Sequence, residues 1–277
     1  MRGVESVKPF SVAMCVYGGD NPAWFAAAVD SVICQTVAPD EIVIVVDGPV
    51  PAPLDAVIGG YESDPLFKVV RLAENRGHGE ARRVGLQHCT HDVVALMDAD
   101  DLSRPDRFEM QLPLFDGGAD AVGGQISEFV GTPANVVGKR VVPVDDAAIK
   151  EYMKKRCPMN QVTVMLRKSA VEQVGGYIDW YCEEDYYLWV RMHLAGMTFA
   201  NLPDVLVDVR VDENTYRRRG GWRYFQSEAK LQGYMRKNGV IGLGRYLMNV
   251  AQRLVLQVLI PHRLRGWIFK RFARSDA

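Results

Sequence analysis

Val93-Val94-Ala95-Leu96-Met97 runs straight into Asp98-Ala99-Asp100-Asp101. Five consecutive apolar residues suit a strand buried on both faces, as in the centre of a parallel sheet. Three carboxylates follow at its carboxyl end, and open α/β sheets bind ligands outside the carboxyl ends of their strands. Hard oxygen donors in that position suit Mg2+ or Mn2+ held between carboxylates and a phosphate. Asp101 also has a local reading. The segment Asp101-Leu102-Ser103-Arg104-Pro105 precedes a helical pattern, and an acid there would cap the helix.

Upstream, strand and helix signals alternate. Phe10 to Tyr17 reads as a strand, and Gly18-Gly19-Asp20-Asn21-Pro22 as a turn in which Asn21 caps and Pro22 opens a helix running to about Gln35. Ile42 to Val46 is a β-branched apolar run ending in Asp47-Gly48, and a Pro-rich loop separates it from a third strand, Phe67 to Arg71. Gly79 to Cys89 carries a helical pattern and leads into the strand at Val93. This β-α-β-α-β-α-β order predicts an α/β fold with a Rossmann-like, mostly parallel sheet and helices on both faces. Neither G-x-G-x-x-G nor G-x-x-x-x-G-K-[ST] occurs, so dinucleotide and P-loop readings lose their main warrant.

Downstream the pattern is less regular. Ala121 to Val130, Val136 to Val142 and Val162 to Leu166 suggest further strands, and a helix from Lys168 to Val174 is stopped by Gly175-Gly176. The chain has 277 residues, 48% of them hydrophobic, which is ample for a core. Five widely spaced cysteines without a C-x-x-C pair indicate neither a zinc site nor a disulfide framework and suit a reducing cytosol. The net charge of -1 hides an asymmetry: residues 1–216 hold 19 Lys and Arg against 32 Asp and Glu, whereas residues 217–277 hold 14 against 2.

Six ordered motifs resemble the GT-A glycosyltransferases of family 2, the large inverting class that includes bacterial enzymes of capsular and exopolysaccharide assembly. They are the opening strand Ser11 to Tyr17, Ile44-Val45-Val46-Asp47-Gly48, Glu74-Asn75-Arg76-Gly77, Met97-Asp98-Ala99-Asp100-Asp101, Gly175-Gly176-Tyr177, and Glu183-Glu184-Asp185-Tyr186-Tyr187-Leu188-Trp189. The resemblance covers roughly residues 8–220. It implies a GT-A fold and a catalytic domain over 1–221; charge and helical periodicity make 222–277 a basic amphipathic helical tail.

The resemblance also implies roles. Asp47 would hydrogen-bond the uracil-type base of a sugar nucleotide, with Tyr17 flanking it. Asn75 belongs to a loop similar to the family's N-x-G loop, and Arg82 offers donors to phosphate or to pairing acids. Asp100 would coordinate Mn2+ or Mg2+, and Asp98 the ribose or the metal shell. Many relatives supply a further ligand from a His in an R-x-H setting; here Val209-Arg210-Val211-Asp212 puts Asp212 in that place. Asp185 would be the general base that takes the acceptor hydroxyl proton in a single in-line displacement. Trp180 and Tyr181 read either as sugar platforms or as packing. Arg218, within Arg217-Arg218-Arg219-Gly220-Gly221, would close over the donor diphosphate.

Two helical patterns follow. In Gly242 to Ile260, Leu243, Leu247, Val250, Leu254 and Val258 lie opposite Arg245, Asn249, Gln252 and Arg253. The stretch His262 to Arg274 sets Leu264, Trp267, Ile268 and Phe272 against five cations, which suits an anionic bilayer surface. The first helix packs on the catalytic domain or joins the second at the membrane. No apolar run is long enough to span a bilayer. The expected partners are a nucleoside diphosphate sugar donor, a glycan or lipid-linked acceptor and an anionic membrane surface, with the chain cytoplasmic and peripheral at the inner face of the cell membrane. Nucleic acid is not expected, because the acidic remainder of the chain would repel a duplex. The rival readings are a sugar-1-phosphate nucleotidyltransferase, whose Gly- and Arg/Lys-rich loop residues 16–22 lack, and a non-catalytic membrane-docking protein on a degenerate transferase fold.

Overall fold

A computed structural model describes residues 9–212 and 220–260. Its centre is β4 (Val93–Met97), buried along its whole length. Beside it lie β1 (Phe10–Tyr17), β2 (Glu41–Asp47) and β3 (Phe67–Arg71), all parallel in the order β3-β2-β1-β4. The connecting helices are α1 (Pro22–Ile33), α2 (Ala52–Tyr61) and α3 (His78–His88). Asn21 caps α1 by accepting the Ala23 N–H at 2.9 Å and the Trp24 N–H at 3.2 Å. Alternation along the strands fills two apolar layers. Ile42, Ile44 and Val46 face one, with α1 and α2, and Val43 and Val45 face the other, with Ala81 and Val84 of α3.

On its other side β4 meets β8 (Met165–Arg167), which runs antiparallel and joins β6 (Ala121–Phe129). The expected strand Val162 to Leu166 is therefore shorter and displaced, its first residues forming a 3-10 turn at Gln161–Thr163. β6 pairs with β7 (Val136–Arg140) and lies parallel to the long β9 (Phe199–Arg210), which in turn pairs with the short β5 (Leu102–Ser103). The helix α4 (Arg107–Asp116) begins after that strand. Its buried Arg107 donates to the Leu96 carbonyl at 2.9 Å, and Gln111 donates to the carbonyls of Val122 and Thr163, both at 2.9 Å. These bonds satisfy buried backbone groups where β4, β6 and the 3-10 turn meet.

The remaining helices are α5 (Asp146–Met153), α6 (Lys168–Gln173), α7 (Glu184–Leu194), α8 (Trp222–Lys237) and α9 (Leu243–Leu254), the last continued by a π-helical turn, Val255–Leu259. Leu231 and Met235 of α8 join the layer that holds Tyr186 and Trp189 of α7, so α8 is packed into the domain. Among the described residues no helix is long and apolar enough to cross a membrane. Arg218 and the stretch 262–274 lie outside the described residues.

Candidate active site

Parallel register brings three strand ends to one rim. Tyr17 pairs with Asp47 across β1 and β2, and Met14 pairs with Met97 across β1 and β4, so Asp98 emerges level with Cys15. A cavity of about 260 Å³ opens there, lined among others by Cys15, Tyr17, Asp47, Asn75, Gly77 and His78. Burial pushes the Cys15 thiol up to about 12, so it stays protonated and forms part of the wall.

Asp47 is buried, and its carboxylate holds the opposite loop. Oδ1 accepts the Arg76 N–H at 2.7 Å and Oδ2 the Gly77 N–H at 3.0 Å, while Asn75 Nδ2 donates to the Asp47 carbonyl at 3.3 Å. Gly48 allows this closeness: its φ is +85°, and a Cβ there would stand 2.5 Å from the Asn75 nitrogen. Tyr17 is 42% exposed at the cavity mouth, and its ring lies over Gly19, where a Cβ would meet the hydroxyl at 2.5 Å. An open aromatic face at the mouth of this cavity can receive a planar base.

Arg82 is buried between two acids. It donates to Asp98 Oδ1 at 3.1 Å and to Glu184 Oε1 at 2.9 Å. Both terminal nitrogens of its guanidinium are thus bonded to carboxylates. Arg83, its neighbour, pairs at the surface with Glu80. Burial opposes ionisation of Asp98, but Arg82, with His78 beside it, holds its carboxyl below the usual carboxylate range. Asp100 makes no side-chain ion pair among the described residues: burial, then Asp98 and Asp20, push it up to about 6, against a smaller opposing pull from Arg210. Asp20, read in the sequence only as a turn residue, belongs to the same acidic group and is itself pushed up to about 6, chiefly by burial. No local pattern marks it, because only the fold carries the β1–α1 turn to the end of β4.

Asp101 does not cap a helix. Its Oδ1 accepts the Arg210 N–H at 2.8 Å, and α4 starts six residues later. β5 intervenes and pairs with β9, which turns Asp101 toward β9. The Arg210 side chain then donates to the Asp100 carbonyl at 3.2 Å and lies 4.6 Å from the Trp24 ring centre and 4.7 Å from that of Phe129. Arg210 thus fixes the acid loop. Asp212, two residues on, is exposed, and among the described residues no group of three or more His, Cys, Asp or Glu converges on one point.

Asp185 stands in the first turn of α7, half-buried, with Oδ1 accepting the Tyr186 N–H at 2.6 Å and Oδ2 facing the Cys157 thiol at 3.8 Å. Glu184 next to it links through Arg82 to Asp98. Upstream, Trp180 is used in packing: its ring is 4.3 Å from Tyr187 and 4.2 Å from the Lys230 ammonium, and its N–H donates to the Ser227 carbonyl. Tyr181 stays exposed beneath Arg223 at 4.0 Å. Burial first, then Glu228 and Asp185, push Glu183 well above the usual carboxylate range.

Two family profiles match the chain: Glycosyl transferase family 2 over residues 11–174, and Glycosyl transferase family group 2 over residues 93–271. An uncharacterized glycosyltransferase of Haemophilus influenzae is 39% identical over 268 residues, covering 96% of this chain and 99% of its own. The UDP-Gal:alpha-D-GlcNAc-diphosphoundecaprenol beta-1,3-galactosyltransferase of Escherichia coli is 35% identical over 272 residues, 98% of each chain. In fold the chain resembles Staphylococcus aureus TarS 1-349, crystallised with UDP-GlcNAc, at a TM-score of 0.68 and 15% identity over 95% of this chain and 79% of that one. It spans 48% of the longer TarS chain.

Proposed function

Because the chain belongs to glycosyl transferase family 2, we propose that it moves a sugar from a UDP-linked donor to a hydroxyl of a lipid-linked glycan, with inversion at the anomeric carbon. The observation that carries this reading is the bridge Asp98–Arg82–Glu184, which makes the acid loop and the first turn of α7 one unit. Donor and acceptor chemistry then share a rigid frame.

The uracil lies against Tyr17, within reach of the loop that Asp47 pins. Asp185 accepts the acceptor hydroxyl proton as the acceptor oxygen bonds to the anomeric carbon. The bond from that carbon to the diphosphate breaks on the opposite face, and its electron pair leaves with UDP. Glu184 and Arg82 hold the turn that presents Asp185.

Asp98 and Asp100 fit a hard divalent ion. Mg2+ and Mn2+ suit one or two carboxylates, with phosphate and water completing the shell, and the crowding that raises Asp100 is what a cation would relieve. Bound there, Mg2+ or Mn2+ would neutralise charge developing on the leaving diphosphate. Asp212, after β9, is proposed as a further oxygen ligand of that ion, and Arg218 as the cation that closes over the diphosphate.

The near full-length likeness to an enzyme named for a diphosphoundecaprenol-linked acceptor supports a lipid-linked acceptor and a station at a membrane surface. Calorimetric titration with UDP tests the donor half. Binding should require Mn2+ and be lost in Asp100→Ala; no binding of UDP in the presence of Mn2+ would overturn the reading.

A further inference from the structure

The segment from α9 through its π-helical turn is packed inside out. Asn249, Arg253 and Gln257 recur every fourth residue and are buried, Asn249 to 1% exposure. The opposite side carries Leu243, Leu247, Met248, Ala251, Val255 and Leu259, all exposed, with Leu247 at 57% and Leu259 at 65%. A helix packed on a soluble domain does the reverse.

The buried stripe has partners that fix this orientation. Asn249 donates to the Lys154 carbonyl at 2.8 Å and to Gln232 Oε1 at 2.7 Å. Arg253 donates to the Lys155 carbonyl at 3.0 Å and pairs with Glu228 at 3.0 Å, and Gln257 bonds Glu228 as well. Rolling the helix to bury its leucines would strip these partners and leave Glu228 and Arg253 buried without each other, which is strongly unfavourable.

We propose that the outward apolar face of residues 243–259 inserts into the headgroup layer of an anionic lipid bilayer and is the docking surface of this protein. The inference rests on the lipid-linked acceptor reading for its purpose, though not for its geometry. Charge selects the occupant. Arg245 lies on α9 itself, Arg236 at the end of α8 lies 5.4 Å from the Tyr246 ring centre of α9, and residues 261–277 follow in sequence with five Lys or Arg, one Asp, and Trp267, Phe269 and Phe272. Cations beside an apolar helical face complement anionic headgroups. A second copy suits it poorly, since a two-fold contact along α9 would bring like cations together.

Docking on this face also aligns the acceptor side of the site. Glu228, held by Arg253, lies on α8; the neighbouring Ser227 donates to the Tyr181 carbonyl at 2.6 Å and receives the Trp180 N–H. The bilayer-facing helix is therefore joined through α8 to the loop that precedes Asp185.

The test is co-sedimentation of the full chain with vesicles of phosphatidylcholine, with and without one-third phosphatidylglycerol, for wild type and Leu243→Gln/Leu247→Gln/Val255→Gln. Wild type should pellet with the anionic vesicles. The triple variant should partition at least roughly tenfold less, with unchanged Mn2+-dependent UDP binding. Leu247→Gln alone, expected to lose about threefold, keeps the test open should the triple variant fail to fold. Equal partitioning of wild type and both variants would overturn the proposal, as would a wild-type dimer that the substitutions dissociate and that ignores vesicles. Loss of UDP binding in wild type with intact vesicle binding would instead count against the donor reading alone.

Discussion

Arg82 reaches Asp98 at 3.1 Å with one nitrogen of a guanidinium whose other nitrogen holds Glu184 at 2.9 Å. The acid at the end of β4 and the acid beside the proposed base thus share one buried cation. Removing it leaves two carboxylates facing each other with little solvent. Arg82→Met should cost about 3 kcal/mol of stability, the scale of a broken buried pair, and should depress donor binding and transfer together. Thermal melting and UDP titration check this. A variant as stable as wild type would show that the bridge is not structural.

Asp100 has the opposite problem, too much negative charge. Its carboxyl is pushed up to about 6 by burial and by Asp98 and Asp20, so its ionised form at neutral pH opposes folding. Asp100→Asn should therefore stabilise the metal-free protein, by about 1 kcal/mol once partial exposure is discounted, while Mn2+-dependent UDP binding falls at least tenfold. Paired melting curves with EDTA and with Mn2+ measure both. A fall in metal-free stability would contradict the crowding argument.

Gly48 separates two loops that nearly touch. Alanine there meets the Asn75 nitrogen and must hold φ near +85°. Gly48→Ala should lose about 1–2 kcal/mol and move Asn75 and Gly77 off Asp47, weakening UDP binding more than it alters transfer at saturating donor. Chemical denaturation and a donor KM measurement check it.

Much of this was legible in the chain. The β-branched run at Ile42 to Val46 and the apolar run at Val93 to Met97 marked the sheet's centre, because strands buried on both faces need such runs. What escaped was set by tertiary contact. β9 is interrupted by Pro203 and Asp204, so only its second half, Val205 to Arg210, alternates and the full length of the longest described strand is not marked. Asp20 and Arg210 gain their roles only when β1, β4 and β9 meet. In α9 the periodicity was plain, but amphipathicity alone does not say which face points inward; the Glu228–Arg253 pair decides that.

Asp185→Asn separates proton removal from donor binding when transfer to a lipid-linked acceptor and UDP binding are both measured beside wild type. The amide keeps the shape of the side chain but cannot take the proton. UDP binding should stay within about twofold of wild type while transfer falls by about 10²–10⁴-fold, the usual reach of a general base. Transfer at the wild-type rate in Asp185→Asn would show that Asp185 is not the base.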